Sequence, residues 1–166
     1  MPQTSNILTL RPATTADQDF LKEVFANTRE LELRALAWNP TQAQVFLDLQ
    51  FNAQQQNYKV TYPSAENNII LLDELAIGRM LVDRSGDTIH LIDIALLSEY
   101  RNRTFGATLL ERLLAEAKAS DKAVELSVFR ENPAARLYER LGFSRVNENS
   151  AYVSMRKLPD AITSES

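Results

Sequence analysis

The feature that most limits the fold is the order of three segments in the second half of the chain. Thr88–Leu97 is apolar on both faces, as a strand covered on both sides must be. Phe105–Ala119 follows, with Leu109, Leu110, Leu113, Leu114 and Ala117 on one stripe at helical spacing. Val124, Leu126 and Val128 then alternate with polar or small residues, the pattern of another strand. A strand, a helix and a strand in that order imply a right-handed crossover between parallel strands of one sheet.

The remaining elements fit around that unit. Ile7–Pro12 reads as a short strand closed by its proline. Thr15 and Gln18 have the spacing of a capping box ahead of Phe20, Leu21, Val24 and Phe25. Asn39 and Pro40 open a second helix, on which Val45, Phe46, Leu49 and Ala53 make the apolar face and Gln54–Gln56 a polar one. Asn68–Leu72 and Ala76–Asp83 are strands joined tightly at Asp73 and Glu74, and Ser85, Gly86 and Asp87 turn the chain into Thr88–Leu97. Asn132 and Pro133 start a last helix that Gly142 ends. Phe143–Val146 and Ala151–Met155 are the final strands. Residues 1–158 therefore read as a single domain, and 159–166 as a flexible tail.

Composition narrows the chemistry. The chain of 166 residues has no cysteine, which excludes disulfides, thiolate zinc sites and a cysteine nucleophile. His90 is the single histidine, so no metal is expected. A net charge of −4 lacks the positive field of a nucleic-acid binder. No apolar run approaches the roughly 20 residues of a membrane span, and the first residues lack a signal-peptide pattern, so a cytoplasmic protein without nucleic-acid or membrane partners is expected.

Two segments carry chemistry. Glu99–Leu110 places Arg101, Arg103 and Gly106 where a helix begins, with unpaired backbone N–H groups and the positive end of the dipole, a place to hold a phosphate. Its plain alternative is an exposed helix start with two solvated arginines. The second segment is Asn132–Phe143, containing Pro133, Tyr138 and Gly142. Tyr138 lies four residues from Ala134 on an apolar face, where a tyrosine is commonly core.

Together these segments resemble the GNAT superfamily of N-acetyltransferases. Its pyrophosphate motif, Q/R-x-x-G-x-G/A, is matched by Arg101 through Gly106, and the element order agrees from about Ile7 to Lys157. The resemblance implies an α/β fold, with a mixed, mostly antiparallel central sheet of about seven strands flanked by about four helices. It implies an acyltransferase that moves the acetyl group of acetyl-CoA directly to a primary amine of a small molecule, peptide or protein. Pantetheine would run beside Ile94, Ala95 and Leu96, with the Leu96 N–H on the thioester carbonyl. Backbone N–H groups from Arg103 through Thr104, Phe105 and Gly106 to Ala107 would hold the pyrophosphate, helped by the charges of Arg101 and Arg103. Asn132 would cap its helix and contact the cofactor. Tyr138 would protonate the leaving thiolate.

Thr104 departs from the motif by standing where the family has its first glycine, and Asn102 stands where a further glycine is common. The preferred reading puts Thr104 in the first helical turn with its hydroxyl toward a phosphate oxygen. The alternative function, a non-catalytic acyl-CoA-sensing or partner-binding module, draws on that threonine. For the base, His90 competes with a structural role, and strict alternation puts it on one face with Ile92, Ile94 and Leu96. Asp93 then points the other way and reads mainly as structural, with the base as a second role. Trp38, Phe46, Phe51, Tyr58 and Tyr62 are candidates for an acceptor pocket. The quaternary expectation is a monomer or a homodimer.

Overall fold

The computed structural model describes residues 7–130 and 132–159. Seven strands form one sheet: β1 (Leu8–Pro12), β2 (Glu66–Leu72), β3 (Leu75–Asp83), β4 (Thr88–Leu96), β5 (Ala123–Phe129), β6 (Ser144–Glu148) and β7 (Tyr152–Lys157). Their order across the sheet is β1-β2-β3-β4-β5-β7-β6. Every neighbouring pair is antiparallel except β4 and β5, which are parallel. The expected crossover is therefore present, carried by α4 (Phe105–Ala119).

Four further helices lie among the described residues: α1 (Gln18–Thr28), α2 (Glu30–Leu36), α3 (Pro40–Thr61) and α5 (Ala134–Arg140). One sheet face packs on α4 and α5 around Ile70, Met80, Leu91, Leu110 and Met155. The other packs on α1 and α3 around Leu21, Phe25, Leu47, Phe51 and Ile69.

Several local features differ from the sequence reading. The first capping box is made by Thr14 and Asp17, one residue earlier than expected, and Arg11 grips the Asp17 carboxylate with bonds of 2.8 Å. The helix α2 adds seven residues between the two expected helices, steadied by Arg34 on Glu30 at 2.8 Å. The opening of α3 is as expected, with Asn39 and Gln42 capping each other. Its buried face is not the expected one. Leu47 and Phe51 enter the core, while Val45 and Leu49 face solvent. The inward stripe runs on through Gln55, Tyr58 and Tyr62, so a count of apolar residues alone selects the wrong side of the helix.

The most consequential irregularity is a bulge in β4. Leu81 pairs with Asp93 and Val82 with Leu91, which leaves Ile92 without a counterpart. One extra residue reverses the alternation beyond it. His90 and Asp93 consequently lie on the same sheet face, whereas Ile94 and Leu96 join Ile89 and Leu91 against the α4 side. Strict alternation misplaces His90 for this reason.

Candidate active site

The parallel pairing of β4 with β5 begins at Thr88 and Ala123 and ends at Leu91 and Leu126. Beyond the bulge the strands part, and Asp93–Leu96 keeps its partners on β3 alone. The Leu97 N–H donates to Ile77 of β3 at 2.9 Å, so by the alternation of a strand the Leu96 peptide group turns toward the open side. The result is a fork in which one prong has no strand paired along its open edge. Gly78 keeps the opposite flank close: a Cβ there would stand 2.2 Å from the Ala95 carbonyl oxygen, so a side chain would force β4 out of place.

The N-terminus of α4 lies past the end of the same strand. No side chain caps it, and the first helical bond is from the Thr108 N–H to the Thr104 carbonyl at 2.9 Å. The N–H groups of Phe105, Gly106 and Ala107 thus lack helical acceptors. A Cβ on Gly106 would meet only Leu96 Cδ1, at 4.0 Å, so packing within the fold does not require glycine there. Its bare backbone instead permits a close approach from outside. Arg101 is not a solvated cation. Its Nε donates to the Leu96 carbonyl at 2.9 Å and its Nη2 to Asn27 Oδ1 at 3.1 Å. The same Asn27 oxygen accepts from the Ser98 N–H at 2.8 Å, pinning the turn to the end of α1. Arg103 lies over the rings of Tyr100 and Phe105, with centroids at 5.6 and 5.2 Å.

On the α3 side of the fork stands a polar group of residues. The Asp93 side chain is 29% exposed, and its Oδ2 is 3.7 Å from Nε of Arg79, itself only 3% exposed. Arg79 Nη1 donates to Gln55 Oε1 at 3.2 Å, and the guanidinium carbon lies 5.6 Å from the Tyr58 ring centre. Burial raises the Asp93 carboxyl above its ordinary range, against the opposing pull of Arg79, the Ile94 N–H and Arg29. Burial also raises the Tyr58 phenol, assisted by repulsion from Asp93. Phe129 and Tyr152 stack at 4.6 Å beyond Ser127, and Tyr152 adds its own influence on Tyr58.

Tyr138 approaches from the other face. Gly142, at φ +103°, ends α5 in a Schellman turn: the Gly142 N–H donates to Glu139 and the Phe143 N–H to Tyr138, each at 3.0 Å. That turn brings the Phe143 ring edge-on to Tyr138 at 5.8 Å. The phenol is pushed up to about 12, first by burial and then by Asp93.

A strand fork, an uncapped helix start beyond it, and an acid and a phenol on its two sides thus lie together at one end of the sheet. The family model described as the acetyltransferase (GNAT) family matches residues 27–143, well over half of the chain. The chain belongs to that family. It is an acyltransferase. Among solved structures, this acetyltransferase resembles the PaiA N-acetyltransferase of Thermoplasma acidophilum in complex with coenzyme A, at 17% identity and a TM-score of 0.69, covering 92% of this chain and 99% of that one. An acetyltransferase of Thermus thermophilus is 17% identical with a TM-score of 0.65, over 91% and 96% of the two chains. The histone acetyltransferase HPA2 and related acetyltransferase of Corynebacterium glutamicum is 23% identical with a TM-score of 0.66, over 94% and 98%.

The acetyltransferase corrects one local expectation. Thr104 does not lie in the first helical turn; it is the residue before it, at φ +68°, and Asn102 is left-handed too at φ +58°. These are the conformations that glycine adopts without penalty. Left-handed backbone costs a non-glycine residue about 1–2 kcal/mol, and the added flexibility of glycine offsets roughly 0.5–1 kcal/mol of the gain. Thr104→Gly is therefore expected to raise stability in urea by up to about 1.5 kcal/mol. A loss of stability would show that the threonine side chain makes compensating contacts.

Other expected residues are placed as follows. Ile94, Ala95 and Leu96 form the prong that pairs with β3 but not with β5. Asn132 is not the cap of its helix: Pro133 holds that position without a side-chain bond, and Asn132 Oδ1 instead accepts from the Ala134 N–H at 2.9 Å in a turn just before it. His90 lies before the fork opens, with its ring 5.8 Å from that of Tyr62 and Nδ1 3.8 Å from Glu125. Tyr58 faces the site, Phe51 is core against Phe25, and Trp38 packs on Phe46 in a separate cleft of about 550 Å³ between α1, α2 and α3. Sequence reading missed Arg79, Gln55 and Asn27. The available signal for Arg79 was a cation inside the apolar run Ala76–Asp83.

Proposed function

We propose that this acetyltransferase moves an acetyl group from acetyl-CoA to a primary amine, with Asp93 as base and Tyr138 as general acid. The observation that carries this reading is the fork itself, which leaves a free strand edge between an acid on one face and a phenol on the other. The residues present fit the co-substrate. The edge Asp93–Leu96 can pair with the amides of pantetheine as with an added strand. The bare N–H groups of Phe105, Gly106 and Ala107 suit a pyrophosphate, and Arg103 adds charge beside them. Acetyl-CoA, when bound, supplies a thioester-activated acyl group.

The chain's own residues do the remaining work. Asp93 takes a proton from the acceptor's ammonium, directly or through a water, and frees the nitrogen lone pair to attack. It holds this role rather than His90 because the bulge and the parting of the strands put Asp93 at the opening and leave His90 behind it. The Leu96 N–H donates to the carbonyl oxygen as that atom gains charge. As the carbon–sulfur bond breaks, Tyr138 hands its phenolic proton to the sulfur, and the second proton shed by the nitrogen as the amide forms returns, through water, to the phenolate. A phenol raised to about 12 stays protonated, and therefore able to donate, throughout the neutral range. Tyr58, Phe129 and Tyr152 wall the acceptor side.

Incubating the protein with acetyl-CoA and a panel of primary amines tests this. The expected result is free thiol and N-acetylated amine in equal amounts; thiol release without an acetylated product, or neither, would reject the transfer. Acetyl-CoA binding without transfer across the panel would instead favour the acyl-CoA-sensing module, a reading that the strained Thr104 supports.

A further inference from the structure

We propose that Arg79 is the positioning residue of this site: clamped by Gln55 and Tyr58, it holds the Asp93 carboxylate ionised and in place for taking the acceptor's proton. The inference rests on the role given to Asp93 above and concerns how that role is maintained.

An arginine in mid-strand, 3% exposed, is costly to desolvate and needs an anion and hydrogen-bond acceptors nearby. Arg79 has one of each. Gln55 accepts from Nη1 at 3.2 Å, the Tyr58 ring covers the guanidinium at 5.6 Å, and Asp93 Oδ2 stands 3.7 Å from Nε. Nε has no hydrogen-bond partner among the described residues. Arg79 thus interacts with Asp93 as a charge, while Gln55 and Tyr58 fix where that charge sits. Both clamping residues are on α3, next to the acceptor side, so the seating of α3 is linked to the state of the base.

The surroundings of Asp93 leave Arg79 as its main support. From β3 comes Arg79, from α3 the neutral Tyr58, from the end of α1 Arg29, and from α5 the neutral Tyr138. On its own strand, the Ile94 N–H favours the ionised form and His90 lies behind the bulge. Burial opposes all of these, and Arg79 leads the groups that counter it. Without Arg79 the carboxyl would hold its proton to higher pH and would stop serving as a base near neutrality.

The test uses protein labelled with ¹³Cγ-aspartate, with the Asp93 signal identified by its absence in D93N. Its titration midpoint is followed by NMR in the unaltered protein, R79M, R79K and Q55A. In R79M the midpoint should rise by about one to three pH units, the range for losing a close opposite charge. R79K, which keeps the charge and loses the fork geometry, should fall between the two, and Q55A should rise by less than R79M. The acidic limb of kcat/KM for the best amine of the panel should move by the same interval. If R79M does not fold, the ordering of R79K and Q55A against the unaltered protein decides. An unmoved midpoint in a folded variant overturns the proposal. A midpoint that moves while the kcat/KM limb stays fixed overturns it by a different route, because Asp93 would then not be the base.

Discussion

Replacing Tyr138 by phenylalanine should lower kcat by about 10²–10⁴, the usual worth of a positioned proton donor, while the affinity for acetyl-CoA stays within a factor of about two or three. The ring remains, and with it the edge-on packing against Phe143 at 5.8 Å, so the core around α5 should not change. What is lost is the one proton at the sulfur. Calorimetry for binding and single-turnover kinetics for transfer separate the two effects. Turnover equal to that of the unaltered protein would remove Tyr138 from the chemistry and leave it as a core tyrosine. Because its phenol titrates only near 12, Tyr138 should contribute no basic limb to the pH profile below about pH 11.

Asp93→Asn should have an effect of similar size at neutral pH, about 10²–10⁴ in kcat/KM for an alkylammonium acceptor. The carboxyl is raised by burial, so it becomes a base only as pH climbs through a value above the ordinary 3.8 of an aspartate. Activity should therefore rise with pH along an acidic limb displaced upward from the normal carboxylate range, and the limb should vanish in D93N. The loss should shrink toward alkaline pH, where more of an amine with an ordinary value of about 10.4 is already neutral. A D93N profile that keeps the acidic limb would assign it to another group. His90, the earlier candidate on the same face, would then be next, and His90→Ala would be the variant to titrate.

Much of the frame was legible because it depends on periodicity. The apolar run Thr88–Leu97, the stripe on Phe105–Ala119 and the alternation at Val124–Val128 each have one sensible structural reading, and their order forces the crossover. The cap at Asn39 and the glycine stop at Gly142 were legible for the same local reason. What was not legible depends on tertiary register. A single extra residue at Ile92 reverses which side chains share a face, and nothing in the composition of Ile89–Leu97 marks it. The inward stripe of α3 mixes Leu47 and Phe51 with Gln55 and Tyr58, because half of that helix packs on the core and half lines a polar site. Arg101 reads as a phosphate ligand in the sequence, yet its guanidinium is engaged with Leu96 and Asn27, a partner 74 positions away along the chain. The motif marks the turn as a candidate phosphate site, and only the long-range contacts show which of its residues fasten that turn.

Thermal unfolding with and without acetyl-CoA, with ATP as the control, tests most directly that the fork and the start of α4 form one binding site. At one hundred times its Kd a ligand adds about 2.7 kcal/mol, and each kcal/mol raises Tm by about 2–4 °C in a domain of this size. The fork and the bare N–H groups predict a shift of several degrees with acetyl-CoA and little with ATP, since only the former has a pantetheine arm to pair with Asp93–Leu96. No shift at millimolar acetyl-CoA, or an equal shift with ATP, would contradict the site.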